Sequence, residues 1–147
     1  NFGWAFVDTI ALLPGIPSAS YVRRGADAVD AIQDISKALN RIEDAASTLP
    51  RGNNYVYYSR NSQGIIDYVG ITNDFGRREA EWKRQGRKIE HLVDGLDRTS
   101  ARYVEQGVIE TFGMKKNGGL LDNKINSIAP KPTPMYNGFT RYFKPLI

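Results

Sequence analysis

The apolar positions of this chain fall into two regimes that meet near Pro50. Upstream, Phe2 to Leu13 is mostly apolar and reads as a first helix. Pro14-Gly15-Ile16-Pro17 breaks it, because proline cannot donate to the helix ladder and restricts the residue before it. Ser18 or Ser20 can cap a second helix, from about Tyr21 to Ala46. Its apolar residues Val22, Val29, Ile32, Ile35, Leu39, Ile42 and Leu49 recur at threes, fours and sevens and so form one stripe. Arg23, Arg24, Asp27, Asp30, Asp34, Lys37, Arg41 and Asp44 occupy the opposite face. The pattern predicts a helical hairpin that packs on the following domain or on an upstream one. A membrane-active element is the rival reading, and the mixed charges of the polar face argue against it.

Downstream of the linker Leu49-Pro50-Arg51-Gly52-Asn53-Asn54, the period changes from helical to alternating. Tyr55 to Ser59 reads as a strand, with Tyr55 and Tyr57 on one face and Val56 and Tyr58 on the other. The turn Asn61-Ser62-Gln63-Gly64 leads to a partner strand, Ile65 to Thr72. There Ile66, Tyr68 and Gly70 share one face, and Ile65, Asp67, Val69 and Ile71 the other. Thr72 or Asn73 can cap the next helix, Phe75 to about Gln85. At about 100° per residue, Phe75, Trp82 and Ile89 fall near one line, with Arg78 on its flank and Arg77 and Arg84 nearly opposite. An arginine at the edge of a core needs an anionic partner, either a carboxylate or a phosphate. Gly86 ends this helix.

Lys88 to Val93 reads as a third strand, closed by an Asp94-Gly95 turn. Thr99 or Ser100 then caps a helix to about Phe112. Ala101, Val104, Val108, Ile109 and Phe112 form its apolar stripe, and Glu105 falls inside that stripe while Glu110 lies opposite. An ionised carboxylate on a buried face is costly unless it is paired or holds a metal. Beyond it, Pro130, Pro132 and Pro134 argue against regular helix. Tyr136 to Ile147 reads as an aromatic, basic tail that packs back over the core through Phe139, Tyr142 and Phe143, with stacking on bases as the rival reading. The expected fold is α+β: a small antiparallel sheet of about three strands flanked by helices, residues 51–147, preceded by the helical segment 1–50.

Charge and composition narrow the functional classes. The 147 residues carry a net charge of +4, a balance that favours a polyanionic partner. There is no cysteine, which excludes disulfides and thiolate metal sites. No apolar run approaches the roughly 20 residues that span a bilayer, so no stable membrane insertion is expected. The chain starts at Asn1 without an initiator methionine, which reads as a piece of something larger.

Residues 55 to about 129 resemble the GIY-YIG nuclease family. The first motif reads Tyr55-Val56-Tyr57, with Tyr55 in place of the family's first glycine, and the second reads Tyr68-Val69-Gly70. The run from Tyr68 through Asp74-Phe75-Gly76-Arg77-Arg78 follows the family pattern and aligns the family's arginine with Arg78. Its metal-binding glutamate matches Glu105, within Ala101-Arg102-Tyr103-Val104-Glu105-Gln106. Asn123 and Asn126 both fit the family's later asparagine. Where many members carry a histidine or tyrosine four residues after the arginine, this chain has Trp82, which cannot act as a base. His91 stands where homing-type members have a second histidine; the alternative for it is a surface or capping role. The first segment, with Leu13-Pro14-Gly15-Ile16-Pro17, is similar to the pre-toxin segments of bacterial polymorphic toxins.

The resemblance implies a divalent-metal-dependent endonuclease, with DNA favoured over RNA. Glu105 would hold Mg²⁺ or Mn²⁺ and Arg78 would contact the phosphate, while Tyr57 or Tyr68 would help to activate water, with family precedent for Tyr57 as base. His91 would relay a proton and an asparagine would orient the site. Arg77, Lys83, Arg84, Arg87 and Lys88 are candidates for tracking the nucleic-acid backbone. The resemblance also implies a toxin tip joined to upstream delivery domains, carried by a secretion system into a target cell and neutralised at home by a cognate immunity protein. The rival functional readings are a non-catalytic nucleic-acid-binding domain and a membrane-active toxin acting through the N-terminal helices.

Overall fold

Ten residues, Arg51–Arg60, form the central strand of a three-stranded antiparallel sheet, flanked on either side by strands that come later in the chain. The computed structural model describes residues 27–127 and 134–141. In chain order the elements are α1 (Asp27–Ala46), β1 (Arg51–Arg60), β2 (Ile66–Thr72), α2 (Phe75–Arg84), β3 (Ile89–Leu96), α3 (Arg98–Phe112), a 3₁₀ turn (Lys115–Asn117) and α4 (Pro134–Arg141). The sheet order is β2-β1-β3. This is the α+β architecture that the change of period predicts. The first arm of the expected hairpin, its Pro14–Pro17 break and the tail beyond Arg141 lie outside the described residues. No described helix is long and apolar enough to cross a membrane.

One hydrophobic cluster joins α1, the sheet and α3. Ile35, Leu39, Ile42 and Leu49 enter it from the α1 end, and Val56, Tyr58 and Val69 from the sheet. Ala101, Val104, Val108, Ile109 and Phe112 enter from α3, so every residue of the predicted α3 stripe is buried. The described part of the α1 stripe, Ile32 to Leu49, is thus covered by the same core that supports the sheet. Tyr136 and Phe139 add a cap from α4.

Several local expectations shift, each for a physical reason. Asp74, rather than Thr72 or Asn73, caps α2 by accepting from Arg77 N at 3.1 Å. Thr72 instead accepts from Asp74 N at 3.0 Å and fixes the approach to the cap. Asp97, rather than Thr99 or Ser100, caps α3 by accepting from Ser100 N at 2.7 Å. In both helices an aspartate stands three residues before the amide it accepts from, the usual N-cap spacing. Asp94-Gly95 is not a terminating turn: β3 runs on to Leu96, and Gly95, at φ 75°, absorbs an irregularity in the pairing. Pro134 begins α4 rather than forbidding it, since the first helical position needs no N–H donor.

The largest correction concerns strand alternation. A bulge between Ser59 and Arg60 shifts the β1–β2 register. As a result Ile66 enters the main core instead of sharing a face with Tyr68, and Asp67 turns to Ser59. A bulge inserts one unpaired residue, so the period of two fails across it.

The free edge of β2 is covered rather than exposed. Asp122 N donates to Asp67 O at 2.7 Å, and Asn123 clasps Val69 by accepting from its N at 3.1 Å and donating to its O at 2.8 Å. The segment after α3 is thereby drawn across the sheet edge, which satisfies backbone groups that would otherwise offer a template for another strand.

Candidate functional site

Tyr57 and Tyr58 are adjacent and both buried, yet they serve opposite sides of the sheet. Tyr58 belongs to the main cluster. Tyr57 is 2% exposed but stands outside it. Its cross-strand partner is Gly70, and a Cβ there would lie 2.5 Å from the Tyr57 phenol oxygen. The second-motif glycine is therefore a space requirement: the phenol lies over the strand where a side chain would be. Tyr68 packs beside it, ring centroids 6.3 Å apart.

Helix α2 roofs this pair. Trp82 meets Tyr57 edge-on at 6.0 Å and Tyr68 at 5.2 Å. Arg87 lies over the Trp82 ring at 5.2 Å, and its Nη2 donates to Asp67 Oδ2 at 2.7 Å and to Ser59 Oγ at 3.2 Å. Asp67 is buried, and its other oxygen accepts from Ser59 Oγ at 2.5 Å. Trp82 is thus held from behind by the Arg87–Asp67 ion pair, of which only the carboxylate is buried, and presses on both tyrosines.

A cleft of about 710 Å³ opens in front of the tyrosines. Tyr57, Tyr68, Arg78, Glu105, Asn123 and Asn126 all line it, although they come from β1, β2, α2, α3 and the following loop. Six of the seven residues predicted for chemistry therefore meet in one place. The seventh, His91, is not among the lining residues. Its ring stacks on Phe75 at 3.6 Å and its Nδ1 is 2.8 Å from Asp94 Oδ1, on the exposed face of β3.

The electrostatics of the cleft follow from burial. Arg78 Nε is buried and makes no hydrogen bond; Glu81 Oε1 stands 3.5 Å away, close enough for attraction but not in bonding geometry. A guanidinium edge in that state is poised for an anion. Burial pushes the Tyr57 phenol up to about 12, with Tyr68 adding to the rise, Arg78 opposing it and Glu105 adding to it again. The Tyr68 phenol is raised as well, first by burial and then by Glu105, with Arg78 opposing. Both tyrosines are neutral donors at pH 7.

Burial also raises the Glu105 carboxyl above its ordinary range, and a hydrogen bond from Ser127 and the charges of Arg98 and Arg102 partly offset this. Ser127 Oγ donates to Glu105 Oε1 at 2.5 Å. Asn123 and Asn126 divide their roles. Asn123 spends its amide on the Val69 backbone, while Asn126 Oδ1 accepts from Gln106 Nε2 at 3.1 Å on the opposite wall.

Arg98, Arg102, Lys124 and Ser127 also line the cleft and were not singled out from sequence. For the two arginines a signal existed. They stand seven and three residues before Glu105, on the same helical face. Of the residues proposed to track nucleic acid, Arg77 pairs with Asp74 and Glu81, and Arg87 with Asp67. Lys83, Arg84 and Lys88 are exposed, and none of these five lines the cleft.

Among the described residues no group of three or more His, Cys, Asp or Glu side chains is gathered. Within the cleft, Asp122 is paired with Lys115 at 2.9 Å, which leaves Glu105 as the carboxylate available to a cation. That donor set cannot build an all-protein cage. It fits Mg²⁺, which is commonly held by one or two carboxylates together with water and substrate phosphate oxygens. No family model matches the chain, and no curated protein or solved structure matches it either.

Proposed function

We propose that this protein is a metal-dependent endonuclease of the GIY-YIG type, acting on nucleic acid with DNA favoured. One observation carries the reading: Tyr57, Tyr68, Arg78 and Glu105, from four separate elements, converge on one cleft in which the arginine edge has no hydrogen-bond partner. Neither a core nor a simple surface groove needs that combination.

In this reading Arg78 binds the scissile phosphate through the guanidinium edge left open in the free protein, and it strengthens as charge builds on the non-bridging oxygens. Tyr57 and Tyr68 enter neutral and hold the attacking water by hydrogen bonds. To accept the proton of that water Tyr57 must first lose its own to solvent, and the charge of Arg78, which opposes the burial that keeps the proton on, favours the tyrosinate that then serves as base. Glu105 would hold Mg²⁺ or Mn²⁺, which when bound supplies Lewis acidity at the phosphate and stabilises the leaving oxygen. Ser127 and Asn126 fix the wall on which Glu105 stands. His91, away from the cleft lining, has no direct part.

A non-catalytic nucleic-acid-binding domain is the second reading. The phenol pushed up to about 12 favours it, because such a group is a poor base at neutral pH. Plasmid nicking separates the two. Nicked product with Mg²⁺, none with EDTA and none for Glu105→Ala is the expected result. Intact DNA and intact RNA under all conditions would leave only the binding domain. In the wider setting the chain is the toxic tip of a larger protein delivered into a rival cell and neutralised by an immunity protein. Growth arrest on cytoplasmic expression, relieved by Glu105→Ala, is the corresponding outcome.

A further inference from the structure

We infer that the substrate strand is guided into the cleft along α3, by Arg98 and Arg102 with Lys124 opposite, and not along the arginine-rich helix α2. The substrate class, a phosphodiester chain, rests on the nuclease reading. The location of the path rests on separate observations.

The first is where unpaired positive charge lies. Arg98, Arg102 and Lys124 line the cleft together with Arg78, whose Nε has Glu81 at 3.5 Å. Among the described residues, Arg98, Arg102 and Lys124 form no ion pair. The α2 side looks more basic in sequence, but two of its five cations are already paired and none of the five lines the cleft. Arg77 has two acidic partners, Arg87 is bound to buried Asp67, and Lys83, Arg84 and Lys88 lie outside the lining. A charge already paired gains little from a phosphate, whereas an unpaired one releases the phosphate's counterions.

The second observation is spacing. Arg98 and Arg102 are separated by four residues, about 6 Å along the helix axis, and Glu105 lies about 4.5 Å beyond. The three side chains share one face of α3, and Arg98 and Arg102 are close enough for both charges to act on Glu105. One strand lying along this face would meet two cations in succession before its phosphate reaches Glu105 and Arg78. Lys124 stands on the loop that closes the other side of the cleft.

The third is what these residues do in the free protein. Both arginines are exposed, and neither holds an element in place through a hydrogen bond or ion pair among the described residues.

The test is a salt titration of binding, read by fluorescence anisotropy of labelled single-stranded DNA, duplex DNA and RNA in EDTA, so that no strand is cut. The variants are Arg98→Ala with Arg102→Ala, the matched pair Arg98→Lys with Arg102→Lys, and the α2 set Lys83→Ala, Arg84→Ala and Lys88→Ala. The double alanine variant is expected to lower the slope of log affinity against log salt by about two, roughly one for each phosphate no longer neutralised. The double lysine variant should restore the slope, because charge alone carries it. The α2 set should keep the wild-type slope on whichever strand binds tightest. A slope lost in the α2 set and kept in the double alanine variant would overturn the inference, as would wild-type protein that binds none of the three strands. An α3-dependent slope with plasmid and RNA both left uncut in Mg²⁺ would sink the nuclease reading and leave this guide path standing.

Discussion

The sheet has one face that is finished and one that is not, and the neighbours Tyr57 and Tyr58 show the difference. Tyr58 sits in the main cluster with its phenol satisfied: it donates to Glu90 Oε1 at 3.3 Å and accepts from Arg60 Nη2 at 3.3 Å. Arg60 in turn pairs with Glu90 at 3.0 Å. Tyr57 is as deeply buried, but its surroundings are a roof of Trp82, an arginine edge with no hydrogen bond and an open cleft. Burial alone does not distinguish the two tyrosines. What distinguishes them is whether the polar groups around the ring are already satisfied by the protein.

The strongest way to break this comparison is at Gly70. A Cβ there would meet the Tyr57 phenol at 2.5 Å, so Gly70→Ala must displace the ring. Overpacking of this kind costs about 1–3 kcal/mol, and displacement by about 1 Å costs about 100-fold in turnover. Nicking rates together with thermal melts check it: a folded Gly70→Ala protein with wild-type nicking would remove Tyr57 from the chemistry.

Arg87→Met comes next. It leaves the Asp67 carboxylate buried without its cation and takes the support from behind Trp82. The expected loss is about 1–3 kcal/mol, below the full penalty for a broken buried pair because Arg87 is 36% exposed. Denaturant unfolding reads it. Asp67→Asn with Arg87→Met should recover part of the loss, since the uncompensated charge is then gone.

Glu105 gives a pH-dependent difference between the faces. Its folded pKa lies above the ordinary carboxylate value, so the folded state binds the proton more tightly than the unfolded chain. Stability is therefore unpenalised at low pH. It falls as pH rises from the unfolded value through the folded one, and the penalty is fully present at neutral pH. Glu105→Gln is expected to raise the melting temperature at pH 7 and leave it unchanged near about pH 4, while abolishing nicking. Equal melting at both pH values would mean that Arg98, Arg102 and Ser127 already offset the burial.

The smallest effect sharpens the comparison. Tyr58→Phe removes a satisfied hydroxyl from the finished face and should cost about 1 kcal/mol with nicking intact. Tyr57→Phe should melt near wild type and lose nicking. The same deletion of one oxygen thus separates stability from activity at neighbouring positions.

Much of this was legible in the sequence, for a simple reason: helical phase survives folding. The α3 stripe fixed Glu105 on an inward face, and the α2 phase put Arg78 at the core edge with Arg77 turned away. Both side chains line the cleft while Arg77 is 54% exposed. The period of two was less durable. It failed at the Ser59/Arg60 bulge, where Ile66 and Asp67 exchange sides, because a bulge leaves no mark in the apolar pattern.

Tertiary structure alone decided the rest. Local sequence made Asn123 and Asn126 equivalent; both line the cleft, but the β2 edge made one a backbone clasp while the other bonds Gln106. Sequence made α2 the basic helix; in the fold Arg77 and Arg87 are paired, Lys83, Arg84 and Lys88 stay outside the cleft, and the cations of α3 and its loop line it. Periodicity is set by the geometry of one element, so the chain itself determines which residues face inward. Which polar groups find partners depends on elements distant in sequence, and that depends on the packed fold.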